Sequence, residues 1–153
     1  MDLITPFIEW LIQSDYIKNN RLFLNALEAK DDNLQIVTQQ IAENQVKKYV
    51  DGSKTYPITF SINNYKSISY GQIVKSMIEG NENVTDILDV SKIIEFVEKM
   101  NSRRNFPLFP KNITVERVYC QYQTPNTPAI DSSSSPALAK FTIPIVFEVL
   151  EDA

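Results

Sequence analysis

Residues 46–62 read VKKYVDGSKTYPITFSI, and this stretch decides the fold. Asp51-Gly52-Ser53 is a turn signal, because glycine takes positive φ without steric cost. After the turn, Tyr56, Ile58, Phe60 and Ile62 fall on one side of an extended chain. Thr55, Thr59, Ser61 and Asn63 fall on the other. Period-two alternation on the far side of a D-G turn predicts a β-hairpin, with a short first strand over Val46–Val50. Pro57 lacks an N–H, so it predicts an edge strand or the start of one.

Working toward the N-terminus, LQIVTQQIA at 34–42 is β-branched and predicts another strand. Asp31-Asp32-Asn33 reads as a turn before it. Residues 16–30, YIKNNRLFLNALEAK, predict an irregular stretch or short strand: Leu22, Leu24 and Ala26 alternate, while Leu24 and Leu27 also suit a helix. At the start of the chain, Ile4, Phe7, Ile8, Leu11 and Ile12 form one apolar helical stripe, with Thr5-Pro6 in the first turn. The polar side of that helix carries no Lys or Arg, which argues for a core helix over a membrane-surface one. With no basic leader or small-residue cleavage site, the segment does not read as a signal peptide.

Toward the C-terminus, residues 64–83 predict a loop, with a helical turn around Gln72–Met77. A helix is expected from Asp86 to Met100, started by Asp86 or Asp89. Val90, Ile93, Ile94, Val97 and Met100 line its apolar side, and Lys92, Glu95, Glu98 and Lys99 its wet side. It should end near Asn101-Ser102-Arg103-Arg104, before Pro107. NITVERVYCQYQ (112–123) and LAKFTIPIVFEVLED (138–152) predict two further strands. The second places Phe141, Ile143, Ile145, Phe147 and Val149 on one face. Between them TPNTPAIDSSSSPA (124–137) reads as a flexible loop or arm, a surface connection or a segment that orders against a neighbouring subunit. The expected fold is a single α+β domain over 1–153. A mostly antiparallel sheet with a β-hairpin packs against an N-terminal helix and a second, crossing helix.

Composition narrows the chemistry. The chain has no histidine, so Ser-His-Asp and Cys-His catalysis and most transition-metal sites are out of reach. The single cysteine, Cys120, permits no internal disulfide, no multi-thiolate zinc site, and reads as a half-buried strand residue. The three glycines, Gly52, Gly71 and Gly80, are too far apart for a phosphate loop. The paired acids Asp31-Asp32 and Glu151-Asp152 sit at a turn and a terminus, where solvated carboxylates are the rule. Asp51 lacks the downstream ligands of a calcium loop. Lys99, Arg103 and Arg104 suit a helix C-terminus better than an anion site. A formal net charge of −4 is the wrong sign for gripping phosphate backbones. Carboxylate-pair and lysine chemistry are left open by composition, but no motif supports an enzyme, a metal or a cofactor.

Taken in order, VKKYVDGSKTYPITFSINNYKSIS (46–69), IIEFVEKMNSRRNFPLF (93–109), ITVERVYCQY (113–122) and LAKFTIPIVFEVLED (138–152) resemble a family of small phage minor capsid proteins related to tail terminators. The resemblance covers nearly the whole chain and is structural, with no catalytic motif. It implies a virion protein that forms a homo-oligomeric ring, usually of six subunits, at the head-proximal end of a tail tube. Such a ring ends tube polymerisation and meets the head connector or stopper, and DNA passes through without sequence-specific binding. No membrane is involved. On this reading the hairpin (Lys47, Lys48, Tyr49, Asp51, Gly52, Tyr56 and Phe60) and the 124–137 loop (Asn126 and Ile130) supply the subunit contacts. Two other readings are a head-completion or stopper protein at the same joint, and a non-viral α+β module that binds a small ligand.

Overall fold

A computed structural model describes residues 2–14, 21–24, 33–67, 91–122, 129–131 and 138–153. Its spine is a pair of strands of equal length, β4 (Lys54–Ser67) and β7 (Leu138–Glu151). They pair antiparallel along their whole length, from Lys54↔Glu151 to Ser67↔Leu138. On the far side of β4 lie β2 (Asn33–Thr38) and the two-residue β3 (Lys47–Lys48), with β1 (Arg21–Leu24) outside β2. On the far side of β7 lie β5 (Ile113–Cys120) and β6 (Ala129–Asp131), end to end. Among the described residues β1–β2 is the parallel pair and every other pair is antiparallel. The fold is α+β, as the sequence predicts.

Period-two alternation explains the core. Tyr56, Ile58, Phe60 and Ile62 of β4 stand opposite Val149, Phe147, Ile145 and Ile143 of β7, and all eight are buried on one face. Two helices cover that face. In α1 (Ile4–Leu11), the Phe7 ring stacks on Phe60 with centroids 4.0 Å apart. The Trp10 indole meets Phe147 at 5.3 Å and Phe96 of α2 (Ser91–Ser102) at 5.1 Å. Phe109 approaches Phe147 from the loop after α2, at 5.5 Å. Aromatic pairs of this kind add about 0.5–1.5 kcal/mol each beyond burial, so Phe147 sits at the energetic centre of the domain. The Trp10 Nε1 donates to the Asn105 carbonyl at 2.7 Å, tying α1 to the end of α2.

That helix end is a Schellman motif built without glycine. Arg104 takes φ 54°, the Arg104 N–H donates to the Asn101 carbonyl and the Asn105 N–H to the Met100 carbonyl. The Arg104 guanidinium lies 5.1 Å from the Phe106 ring centroid. A β-bulge at Val115/Arg117 lets β5 keep Val115, Val118 and Cys120 on the core side, where strict alternation fails.

Several expectations need correction. Pro57 lies on an interior strand, neither at an edge nor at a start. Its missing donor is harmless because Thr59, two residues on, turns its carbonyl toward β2 (Gln39 N–H, 3.2 Å), so Pro57 faces the same side. It falls between the β3 pairing, which stops at Thr55, and the β2 pairing, which begins at Phe60. Residues 64–67, expected in a loop, extend β4, and Asn33 opens β2 instead of a turn. The predicted strand Val46–Val50 shrinks to Lys47–Lys48. The loop 124–137 contains β6, paired to β7 at Leu138–Lys140. The last strand of the sequence, β7, is inserted between β4 and β5, an order that the local pattern does not predict. Ile12 lies past the end of α1 and is exposed, while Trp10 and Phe96 join the core beside the predicted stripes. Cys120 is buried, not half-buried. The helical turn Gln72–Met77, the helix starts Asp86 and Asp89, and Val90 lie outside the described residues.

Candidate assembly interface

The hairpin turn is held by its own polar groups. Asp51 Oδ1 accepts from the Ser53 N–H at 2.9 Å and the Ser53 hydroxyl at 2.6 Å, and the Gly52 N–H donates to the Tyr49 carbonyl at 3.0 Å. The Ser53 hydroxyl, then its N–H, hold the Asp51 carboxyl below its usual range. Gly52 sits at φ +91°, and a Cβ there would meet the Ala153 Cβ at 3.0 Å. With the backbone fixed this way, the tip displays two large apolar side chains to solvent: Val50 is fully exposed and Tyr49 is 52% exposed. Neither contributes to the core.

Beside the tip, on the face opposite the helices, a trough of about 390 Å³ runs across the strands. It begins at Lys47 and Tyr49 by β3, passes over Thr55 and Pro57 of β4 and Glu148 of β7, and ends at Glu116 and Tyr119 of β5. Crossing four strands means three inter-strand steps, or about 14 Å. At the β5 end, Arg117 grips both oxygens of Glu148, at 2.7 and 2.9 Å, and covers the Tyr119 ring at 4.4 Å. The Arg117 hydrogen bonds outweigh desolvation and lower the Glu148 carboxyl; the same bonds raise Arg117. Both side chains are about half exposed, so this pair shapes the wall more than it stabilises the fold.

The sheet's β5 edge, by contrast, is closed to strand addition at its middle. The Val118 N–H and the Glu116 carbonyl point away from β7. They are taken by Asn101 Oδ1 (3.0 Å) and Arg104 Nη2 (3.2 Å). A strand approaching from outside would have to displace both side chains. On the other side of the sheet, β3 is two lysines long, and Lys48 pairs with Glu43 at 2.9 Å.

The residues expected to make contacts separate into three groups. Lys47 and Tyr49 line the trough, and Asp51 and Gly52 shape the tip. Lys48 is exposed beside them on β3. Phe60 is 1% exposed and stacked under Phe7, so it is a core residue and unavailable to a neighbour; alternation showed it shared a face with Tyr56 but not that the helices cover that face. Tyr56 is also buried, though it contributes to the trough's lining, and burial followed by the nearby Glu151 carboxylate raise its hydroxyl pKa. Ile130 lies in β6, opposite Ala139, and Asn126 lies outside the described residues. The hairpin expected to make contacts, Val46–Ile62, takes in Val50 and Pro57; Tyr119 and Glu148, which also line the trough, lie outside the expected contacts. The outward phase of β7 carries Glu148 and could have flagged it.

Among the described residues there is no cluster of three or more His, Cys, Asp or Glu side chains placed to hold a metal. Burial pushes the Cys120 thiol up to about 12, so it is no nucleophile at neutral pH. Among the described residues no helix is long and apolar enough to cross a membrane. No protein-family model and no curated protein matches this chain.

Proposed function

We propose that this protein is a ring-forming structural subunit of a long phage tail, a tail terminator that ends tube growth and meets the head connector. One relationship in the fold carries the reading. The hairpin tip and trough lie at one end of the β4–β7 ladder, near Glu148, and β6 lies toward the other, at Lys140. Eight residues of β7 separate them, about 27 Å at 3.4 Å per residue. A contact that joins the hairpin end of one copy to the β6 end of the next is therefore heterologous. Heterologous contacts close into rings when the rotation permits. The capped β5 edge works with this arrangement, because it disfavours the open-ended strand addition that produces fibres. The net charge of −4 suits a bore through which DNA slides without sticking.

Light scattering and negative-stain imaging across concentration, with and without tail-tube protein, test the proposal. Rings, or a monomer that forms rings on the tube, support it. A strict monomer in all conditions removes it. Deletion of the gene then separates the joint's two roles: overlong tails mark a terminator, and normal tails without heads mark a stopper.

A further inference from the structure

We propose that the trough receives an extended proline-bearing segment, residues 124–128 of a neighbouring copy. The trough's chemistry is that of a polyproline groove. Tyr49 and Tyr119 stand at its two ends, Pro57 lies between them, and Arg117, bound to Glu148, covers one face of the Tyr119 ring. Aromatic-lined grooves take proline-rich segments because such segments are already extended and lose little entropy on docking. The dimensions agree. A polyproline helix rises about 3.1 Å per residue, so the trough's length of about 14 Å accommodates four to five residues. Two segments of the chain have prolines three apart. In Pro107–Pro110, Pro107 and Phe109 are buried in the fold, which leaves Thr124-Pro125-Asn126-Thr127-Pro128 as the one free to dock.

Chain geometry decides whose segment it is. Pro128 is bonded to Ala129, and Ala129 pairs with Lys140. The trough crosses β7 at Glu148, about 27 Å further along the strand. Adjacent Cα atoms are about 3.8 Å apart, so Pro128 cannot enter its own trough. The occupant must come from a second copy, and the contact is head-to-tail. The trough's recognition of the segment stands by itself; only its delivery by a neighbour rests on the ring reading.

The test uses the full chain carrying Pro125→Ala and Pro128→Ala as receptor, so that its own segment is disabled and its trough intact. A synthetic peptide of residues 122–132 is titrated into the isotope-labelled receptor and followed by amide chemical shifts. The expected result is shifts at Tyr49, Thr55 and Tyr119, with binding about tenfold weaker for a peptide with both prolines replaced by alanine. Tyr49→Ser in the receptor, a substitution at an exposed side chain, should weaken binding by a similar factor. Equal binding of the alanine peptide, shifts confined to other surfaces, or no binding at millimolar peptide overturns the inference. The ring reading fails separately. Peptide binding without rings in any condition retains the trough and removes the ring; native rings from the receptor variant retain the ring and remove the trough.

Discussion

Asn101 accepts, through its side-chain oxygen, the outward-facing N–H of Val118 at 3.0 Å, so the end of α2 seals the sheet edge beside it. Arg104 does the same one step along, donating to the Glu116 carbonyl. The two residues join helix termination to edge protection, and Arg104 adopts a left-handed conformation to do so. Arg104→Gly separates the two effects. It relieves the positive-φ cost of about 1 kcal/mol and gives up an exposed hydrogen bond of similar worth. The variant is expected to unfold within about 1 kcal/mol of the parent and still to self-associate more readily through β5. Urea unfolding and light scattering on the same samples check this. A less stable variant with unchanged association would mean the edge was never protected by Arg104.

The tip and the core should respond oppositely to mutation. Phe147→Ala removes the ring that Phe7, Trp10, Phe60 and Phe109 surround, and is expected to cost about 3–5 kcal/mol. Val50→Ser and Tyr49→Ser touch side chains that solvent already surrounds, and should change stability by less than about 0.5 kcal/mol. The same two substitutions should abolish ring formation. Denaturant midpoints and particle counts in negative stain decide the matter. Tip variants that unfold early would place Tyr49 and Val50 in the fold, against their exposure.

These contrasts explain which parts of the molecule were legible in the sequence. Alternation over Tyr56–Ile62 and Phe141–Val149 is local, and it identified the two spine strands and their shared face. The pairing of Lys54 with Glu151 joins residues almost a hundred apart, and nothing local encodes it. The central position of β7 was therefore unreadable, and so was the trough, which exists only where four strands lie side by side. Pro57 shows the same limit. Proline argues against an interior strand unless a neighbouring strand stops short, and Thr38 and Lys47 leave such an interval. Trp10 and Phe96 were missed for a simpler reason: each is three residues beyond a stripe residue, Phe7 and Ile93, and the buried arc is wider than the stripe.

Acid should loosen the trough wall. Hydrogen bonds from Arg117 lower the folded Glu148 pKa below its unfolded value. The stabilisation is thus fully present above the unfolded carboxylate pKa and lost as pH falls through the lower, folded one. The Glu148 side chain is 42% exposed, so solvent screens the pair and its contribution stays within about 0–1 kcal/mol. Glu148→Gln is expected to flatten the acid limb of the stability profile below about pH 4.3 and leave neutral stability nearly unchanged. Thermal unfolding at several pH values measures both. An acid limb identical to that of the parent would show that the Arg117 contact is not kept in solution.

The loop carries the remaining prediction. Removing Asn126–Ser135 deletes β6, which contributes three residue pairs to the sheet at Leu138–Lys140. The β4–β7 ladder, the β5 ladder and the aromatic cluster around Phe147 involve none of the deleted residues. The shortened chain should therefore fold, with the Trp10 indole still held against the Asn105 carbonyl and its fluorescence unchanged. It should also stay monomeric, because the segment that reaches the neighbour loses Asn126, Thr127 and Pro128 while the trough that would receive it remains. Trp10 emission reports the fold and light scattering reports the assembly, so the two expectations are read independently. A folded, shortened chain that still assembles into native rings would remove 126–135 from the interface and leave the hairpin tip to make the contact with some other surface.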